Sequence, residues 1–251
     1  MTYFETVKPT FLENWPKGMM NLSFSSVPTK LSLKEARALG AEIVEWGETF
    51  GPRGMLAVDG IKDRLGKAMA FFPNGAFVRL GSRSPKDSWN GHREGFKCRT
   101  AADAIALLTD CSERMHGDLQ LALHEKYQPT IWLREWHDDL GYEIRCFVKG
   151  RRLVAASQYE YKCIADDLYE HRRSIIEAIV RYVEQDFLPV CHLEDVIVDL
   201  AVRRKVHDKH GVVLIEINPY GLSDPCLFES YAELEANPGV RLHPTTPPDP
   251  Q

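Results

Sequence analysis

The chain has 251 residues, 44% hydrophobic and 10% aromatic, with 36 acidic against 31 basic residues and a net charge of −5. That length and apolar content suffice for a sizeable core, in one large domain or two intimate lobes. The mild acidity argues against sequence-independent nucleic-acid binding, which needs a pronounced basic surface. No apolar run approaches the roughly 20 residues that span a bilayer. The first eight residues lack the charged and long apolar regions of a signal peptide, so the expected compartment is the cytoplasm.

Residues 1–30 read as an extended segment packed by Phe4, Phe11 and Trp15, with a turn at Pro16-Lys17-Gly18. Ser32-Leu33-Lys34-Glu35 has the pattern of a capping box. It opens a helix with Leu39, Ile43 and Trp46 on one face, ending near Gly47 or Gly51. A glycine-rich loop is expected next, then a strand over residues 76–80. Thr100 to Asp103 starts a second helix through Ile105, Leu107 and Leu108. Three strands follow at 130–136, 142–148 and 152–157, the latter two joined by the turn Lys149-Gly150-Arg151. Ile175, Ile176, Ile179, Val180 and Val183 recur at helical spacing in a long helix over 166–187, which Pro189 stops. Two β-branched, antiparallel runs, 196–200 and 212–219, flank a charged turn containing His207 and His210. The chain past Gly221 reads as irregular, and 244–251, with four prolines, as a loose tail.

This order is α+β rather than a βαβ series. No G-x-G-x-x-G or Walker lysine motif occurs, so a nucleotide site here is neither Rossmann nor P-loop. The six cysteines are widely spaced and the histidines form no H-E-x-x-H, which reads as reduced, mostly buried thiols and no zinc site.

Acidic side chains inside buried strands are costly unless something positive sits beside them. In Val212-Val-Leu-Ile-Glu216-Ile-Asn218-Pro219, Glu216 and Asn218 share one face, and a hairpin places Asp199 roughly opposite them. Three hard oxygen ligands on two strands suit magnesium with nucleotide phosphates; the alternative is a pair of salt-bridged strand carboxylates. Arg79, Ser82, Arg83, Ser84, Lys86, Asp87 and Ser88 follow the end of a strand, and cations with hydroxyls and backbone N–H groups are what a polyphosphate requires. The alternative is a polar surface loop. Trp132, Arg134 and Trp136 share a strand face opposite Leu133 and Glu135, and Glu143 shares one with Arg145. Those arginines serve either phosphates or a cross-strand pair with Glu143.

Phe77-Val-Arg-Leu-Gly-Ser-Arg-Ser-Pro-Lys-Asp87, Lys97-Cys-Arg-Thr100, Leu133-Arg-Glu-Trp136, Glu143-Ile-Arg-Cys-Phe-Val148, Ala156-Ser-Gln-Tyr159, Val198-Asp199 and Ile215-Glu-Ile-Asn-Pro219 occur in this order. In that combination the chain resembles the cell division cycle protein 123 family, a divergent branch of the ATP-grasp fold, over roughly residues 70–230. The resemblance implies an α+β, ATP-grasp-like architecture of two lobes with antiparallel sheets and ATP between them. The expected division is an N-terminal lobe at 1–130, with the phosphate loop, and a C-terminal lobe at 131–251, with hinge, magnesium strands and tail. It implies Arg79 on the phosphates, Ser82, Ser84, Lys86 and Asp87 in the loop beside them, and adenine against the hinge of Arg134, Glu135 and Trp136. Arg134 and Arg145 would face phosphates, with Glu143 nearby and Arg145 and Lys86 as the catalytic cations. Asp199, Glu216 and Asn218 would hold magnesium. The family usually has lysine at the position of Arg79, Asn-Trp at Gly81-Ser82 and aspartate at Glu216. Two functions fit this reading. The preferred one is an ATP-dependent carboxylate–amine (or related) ligase acting on an unknown acceptor. The other is an ATP-binding assembly chaperone for a protein partner, as in the family's role in building translation initiation factor two.

Overall fold

The computed structural model of the chain describes residues 2–44, 52–110, 113–162, 168, 170–203 and 211–243. These form an α+β structure in two units. One comprises Met1–Asn14 and Ser25–Trp136, and the other Trp15–Phe24 and His137–Gln251. No helix among the described residues is long and apolar enough to cross a membrane.

In the first unit, strands β1 (Ser26–Lys30), β2 (Ala76–Leu80) and β3 (Thr130–Glu135) make an antiparallel sheet in the order β1-β3-β2. Strand alternation gives that sheet two chemically different faces. Val27 and Val78 pair with Leu133, and Leu80 with Ile131. Val78, Leu80, Ile131 and Leu133 are buried against Leu39, Ile61, Leu65, Leu108 and Leu119 of four helices. The opposite face carries Arg79 paired with Trp132 and Arg134 paired with Phe77. The expected capping box is present: Ser32 N–H donates to Glu35 Oε2 (2.8 Å) and Glu35 N–H to Ser32 Oγ (3.3 Å), opening the helix Leu33–Val44. Trp46 and that helix's expected end at Gly47 or Gly51 lie outside the described residues. Thr100 and Asp103 form a second capping box ahead of the helix Ala101–Thr109.

Three readings of the N-terminal part of the chain are corrected. The expected glycine-rich loop is largely a helix, Pro52–Met69. Its proline stands at the first helical position, where the missing N–H is harmless, and Ile61, Leu65, Ala68 and Met69 make a buried stripe. A helix at Glu113–His124, buried through Met115, Leu119 and Ala122, was not foreseen. Residues 2–21 coil into short helical turns rather than an extended segment. Phe4 and Phe11 pack there as expected, against each other and Tyr127 with ring centroids 5.5 to 6.1 Å apart.

The second unit holds β4 (Leu140–Lys149), β5 (Arg152–Gln158), β6 (Val196–Arg203), β7 (Val212–Pro219) and β8 (Gly239–Arg241), in the order β7-β6-β4-β5-β8. All pairs are antiparallel except β5 with β8. Gly150 (φ 54°) and Arg151 (φ 58°) turn β4 into β5 with two positive φ values, the requirement of a type I′ hairpin. The helix Arg172–Arg181 continues through a π-helical turn, Tyr182–Phe187, into Leu188–Val190. Pro189 therefore sits inside the last helical turn and does not stop the helix before it. The Tyr182 hydroxyl donates to the Leu22 carbonyl (2.9 Å), and a Cβ on Gly18 would come within 2.7 Å of Val190, which ties Trp15–Phe24 to this unit. The stretch read as irregular after Gly221 contains a helix, Tyr231–Ala236, capped by Ser230, as well as β8. Residues 163–167, the turn with His207 and His210, and the proline-rich tail lie outside the described residues. Cys98, Cys146 and Cys191 are buried and Cys226 half-buried, all as free thiols, while Cys111 and Cys163 are outside the described residues.

Phe147 is fully buried and meets Phe228 and Tyr231 edge-on at 5.9 and 6.0 Å, holding the segment after β7 onto the sheet. Truncating such a ring leaves a cavity, so Phe147→Ala should lower unfolding free energy by about 3–5 kcal/mol in urea melts. A loss under about 1 kcal/mol would mean that this segment contributes little to the unit's stability.

Candidate functional site

The hairpin of β6 and β7 sets Asp199 directly opposite Glu216, and Ile197 opposite Asn218, on one face of the five-stranded sheet. The pairing then shifts, from Glu216 at Asp199 to Leu214 at Leu200, leaving Ile215 as the extra residue of a bulge beside the acidic pair. On the other side of β6, Arg145 of β4 is the register partner of Asp199. Its Nε donates to Asp199 Oδ1 and its Nη2 to Oδ2, both at 2.8 Å. Asp199 has no exposure and Arg145 only 4%. Arg145 is therefore paired with Asp199 and not with Glu143, the partner its own strand suggested. Nη1 of Arg145 donates to the Asp224 carbonyl (3.0 Å), and its guanidinium lies over the Tyr159 ring at 4.6 Å. Burial works against the arginine's charge, but the hydrogen bonds and charge of Asp199 outweigh it and raise its pKa. Tyr161 donates its hydroxyl to Asp224 Oδ2 (3.0 Å), and Asp224 Oδ1 accepts the Cys226 N–H (2.8 Å). Burial pushes the Cys226 thiol up to about 12, so it stays protonated at neutral pH and is a poor nucleophile.

The Asn218 amide nitrogen lies 3.1 Å from Asp199 Oδ2 and 3.5 Å from Glu216 Oε1. A donor thus already bridges the two carboxylates where a cation would share them. Two carboxylates and an amide are hard donors of the kind magnesium takes, with phosphate and water completing its shell. The residues fit that ion in chemistry. Among the described residues no group of three or more His, Cys, Asp or Glu could hold a metal by itself.

In the first unit, Arg79 and Arg134 share the sheet face opposite the core and are 4% and 2% exposed. Arg79 Nε donates to the Leu80 carbonyl (3.0 Å). The turn after β2 is closed by reciprocal Leu80–Arg83 backbone bonds. Ser84 is buried there, while Ser82, Lys86 and Asp87 are half-buried. Arg83 is tied to the helix Glu113–His124, with Nε and Nη2 donating to Asp118 at 3.1 and 3.2 Å. Ser88 caps the helix Trp89–Glu94 through Gly91 N–H (3.0 Å). Arg83 and Ser88 thus serve the scaffold. Trp136 N–H donates to the Gly75 carbonyl (3.2 Å), and Lys97 lies 5.7 Å from the Trp136 ring centre. Glu135 is exposed and Glu143, on β4, half-buried.

Glu13 was not singled out from the sequence. Its Oε1 accepts from the Tyr127 hydroxyl (2.9 Å) and its Oε2 from Trp132 Nε1 (3.2 Å). A Cβ on Gly81 would overlap Glu13 Oε2, so glycine at that turn is what admits the carboxylate. Burial raises the Glu13 pKa. Hydrogen bonds from its own backbone, Tyr127 and Trp132, and the charge of Arg79, oppose that rise. Asp224 and Tyr159 were likewise missing from the expected site, although Tyr159 stands in one of the recognised motifs.

Comparison with known proteins identifies the family. The family description D123 matches residues 54–247, most of the chain, and the chain belongs to that family. A translation initiation factor eIF2 assembly protein of Candida albicans is 28% identical over 188 residues, covering 67% of this chain and 51% of the relative. One from Xenopus laevis is 26% identical over 171 residues, covering 64% and 49%. A cell division cycle protein 123 of Phaeosphaeria nodorum is 28% identical over 204 residues, covering 76% and 49%. The chain thus spans about half the length of most of the curated relatives it matches. The solved structure of Cdc123 from Schizosaccharomyces pombe shares the fold, with a TM-score of 0.77 and 22% identity over 96% of this chain and 98% of that one.

Three variants test these contacts. Removing one partner of a buried ion pair leaves an uncompensated charge, so Asp199→Asn should lower unfolding free energy of the ligand-free protein by about 3–5 kcal/mol in urea melts. Replacing both, as Arg145→Met with Asp199→Leu, should recover most of it; an unrecovered double variant would show that the pair carries stability beyond mutual neutralisation. Glu13 gives a pH signature. Its folded pKa is raised, so the fold is fully stabilised by its protonation below the ordinary value of 4.5 and loses that contribution as pH rises through the folded value. The stability of wild type relative to Glu13→Gln should therefore fall from pH 4 to 7. A flat difference would show that the hydrogen bonds and Arg79 cancel the effect of burial.

Proposed function

We propose that this D123-family member binds ATP with magnesium and uses the bound state to assist assembly of a protein partner, the activity that its relatives' names state of them. The nucleotide half of the reading is carried by one observation: two carboxylates and an amide on paired strands, with a buried arginine fixed on the same face. Asp199, Glu216 and Asn218 would hold magnesium through oxygen, and the ion would supply charge neutralisation of the phosphates. Arg145 is oriented by Asp199, the Asp224 carbonyl and Tyr159, which engage three of its five N–H donors and its ring-stacking face. The two remaining N–H groups are the ones it would offer to a phosphate. Arg79 and Arg134 are the buried arginines of the first unit taken by itself, with Ser82, Ser84, Lys86 and Asp87 in the segment that follows Arg79.

The names of the relatives support assembly better than the carboxylate–amine ligase preferred from the sequence. An assembly factor needs a nucleotide-stabilised surface, not turnover. A ligase must cleave ATP whenever its acceptor is present.

Magnesium-ATP at about 100 times its dissociation constant would stabilise the fold by roughly 2.7 kcal/mol, or about 5–10 °C in melting temperature for a chain of this size. A melting scan unchanged by millimolar magnesium-ATP would overturn nucleotide binding. Intact ATP should be recovered after prolonged incubation. Release of ADP or AMP that depends on an added amine or carboxylate would replace assembly with the ligase reading.

A further inference from the structure

Successive register partners place Glu216, Asp199, Arg145, Ser157 and Arg241 in one row across the five-stranded sheet of the second unit. Residues directly opposite on neighbouring strands share a face, so the row is a polar line on one side of the sheet. The segment after β7 crosses that line and is bound to it at two points. At the first, Arg145 Nη1 donates to the Asp224 carbonyl (3.0 Å). At the second, Leu227 N–H donates to Ser157 Oγ (3.1 Å) and Arg241 Nη1 to the Leu227 carbonyl (3.2 Å). Asp224 is exposed, and its carboxylate is engaged twice besides: Oδ1 accepts the Cys226 N–H (2.8 Å) and Oδ2 the Tyr161 hydroxyl (3.0 Å).

The two parallel bonds to Asp199 hold the guanidinium in the plane of that carboxylate, but they leave it free to rock about the line of contact. A third bond at Nη1, away from that line, removes the rocking. The carbonyl that accepts it is held in place by local chemistry. Pro225 fixes its own φ and disfavours helical backbone at Asp224. Cys226 follows at φ 60°, a conformation that residues with a side chain rarely adopt. The bond from Cys226 N–H to Asp224 Oδ1 is an Asx turn, by which an aspartate stabilises such a bend. The Tyr161 hydroxyl then ties the same carboxylate to the chain just past β5, two residues beyond Tyr159, whose ring lies over Arg145. The bond to Asp224 raises the Tyr161 pKa, so the hydroxyl remains a donor at neutral pH.

We propose that the Asp224 carboxylate and the Tyr161 hydroxyl together position Arg145, holding the Asp224 carbonyl on Nη1 so that the guanidinium meets an anionic ligand in one orientation. That ligand is the phosphate chain of the proposed nucleotide, so the inference rests on that reading. Two measurements keep them apart. In ligand-free protein carrying nitrogen-15-labelled arginine, the exchange rate of the Arg145 Nε–H reports how firmly the group is held, with its signal assigned by its absence from Arg145→Lys. Exchange should quicken about 10-fold in Asp224→Ala, and magnesium-ATP affinity by isothermal titration should fall about 10-fold, the effect of roughly one hydrogen bond. Asp224→Asn should behave as wild type in both, because its amide oxygen still accepts from Cys226 N–H and its nitrogen can donate to the Tyr161 oxygen. Tyr161→Phe removes one hydroxyl, so it should keep the wild-type melting temperature while both measures change by about 3-fold. An Asp224→Asn variant as impaired as Asp224→Ala would overturn the proposal, since charge and not position would then be at work. So would unchanged exchange in Asp224→Ala or in Tyr161→Phe, or quickened exchange with magnesium-ATP affinity undiminished. A wild type that fails to bind magnesium-ATP would remove the nucleotide reading, and the exchange rates alone would still decide whether Asp224 positions Arg145.

Discussion

The buried pair of Arg145 and Asp199 organises the candidate site. Asp199 lies on a central strand with no exposure, where an isolated carboxylate would lose its hydration without return. The guanidinium fork answers that with two parallel 2.8 Å bonds from the adjacent strand. Orienting the fork then aims its third nitrogen at the Asp224 carbonyl and its face at Tyr159. The segment after β7 is thereby tied to the acidic strands by polar contacts, while Phe147, Phe228 and Tyr231 tie it by apolar ones. A buried ion pair is weak grounds for expecting extra stability, because well-packed apolar residues often do as well. Its value here is positional, since one rigid group fixes a carboxylate, a loop and an aromatic ring together.

A comparable constraint operates in the first unit at Gly81. The carboxylate of Glu13 occupies the space a side chain would need there, held by Tyr127 and Trp132. Leu12 N–H also donates to the Gly81 carbonyl at 3.1 Å. The N-terminal turns are therefore part of the local environment of Arg79 and not an appendage. In this chain the glycine of that turn is explained by Glu13.

Where the side-chain period was clean, the fold was legible. The β-branched apolar runs 196–200 and 212–219 gave both strands, a hairpin between them gave the facing of Asp199 and Glu216, and Lys149-Gly150-Arg151 gave its own hairpin. The helix Pro52–Met69 was hidden because Gly54, Gly60 and Gly66 argue locally for a loop, whereas its stability comes from one apolar stripe against the sheet. The segment after Gly221 was hidden for another reason. Its short helix and β8 exist by docking on β5 and Phe147, contacts that no local pattern announces. The partner of Arg145 followed from register across β4 and β6, which spacing within one strand cannot supply.

The same register bears on how the two carboxylates are held together. Asp199 accepts from Arg145 through both oxygens and from Asn218 through one of them, and Asn218 also faces Glu216. The two carboxylates can be held close without magnesium because donors on neighbouring strand positions offset their repulsion. Under the proposed function, a magnesium ion held by Asp199, Glu216 and Asn218 would supply the charge neutralisation that the Asn218 nitrogen provides here, and each carboxylate oxygen can accept more than one bond. Asp199 would then have two duties on one carboxylate. A loss of ligand binding in an Asp199 variant is interpretable only beside the stability of the ligand-free fold.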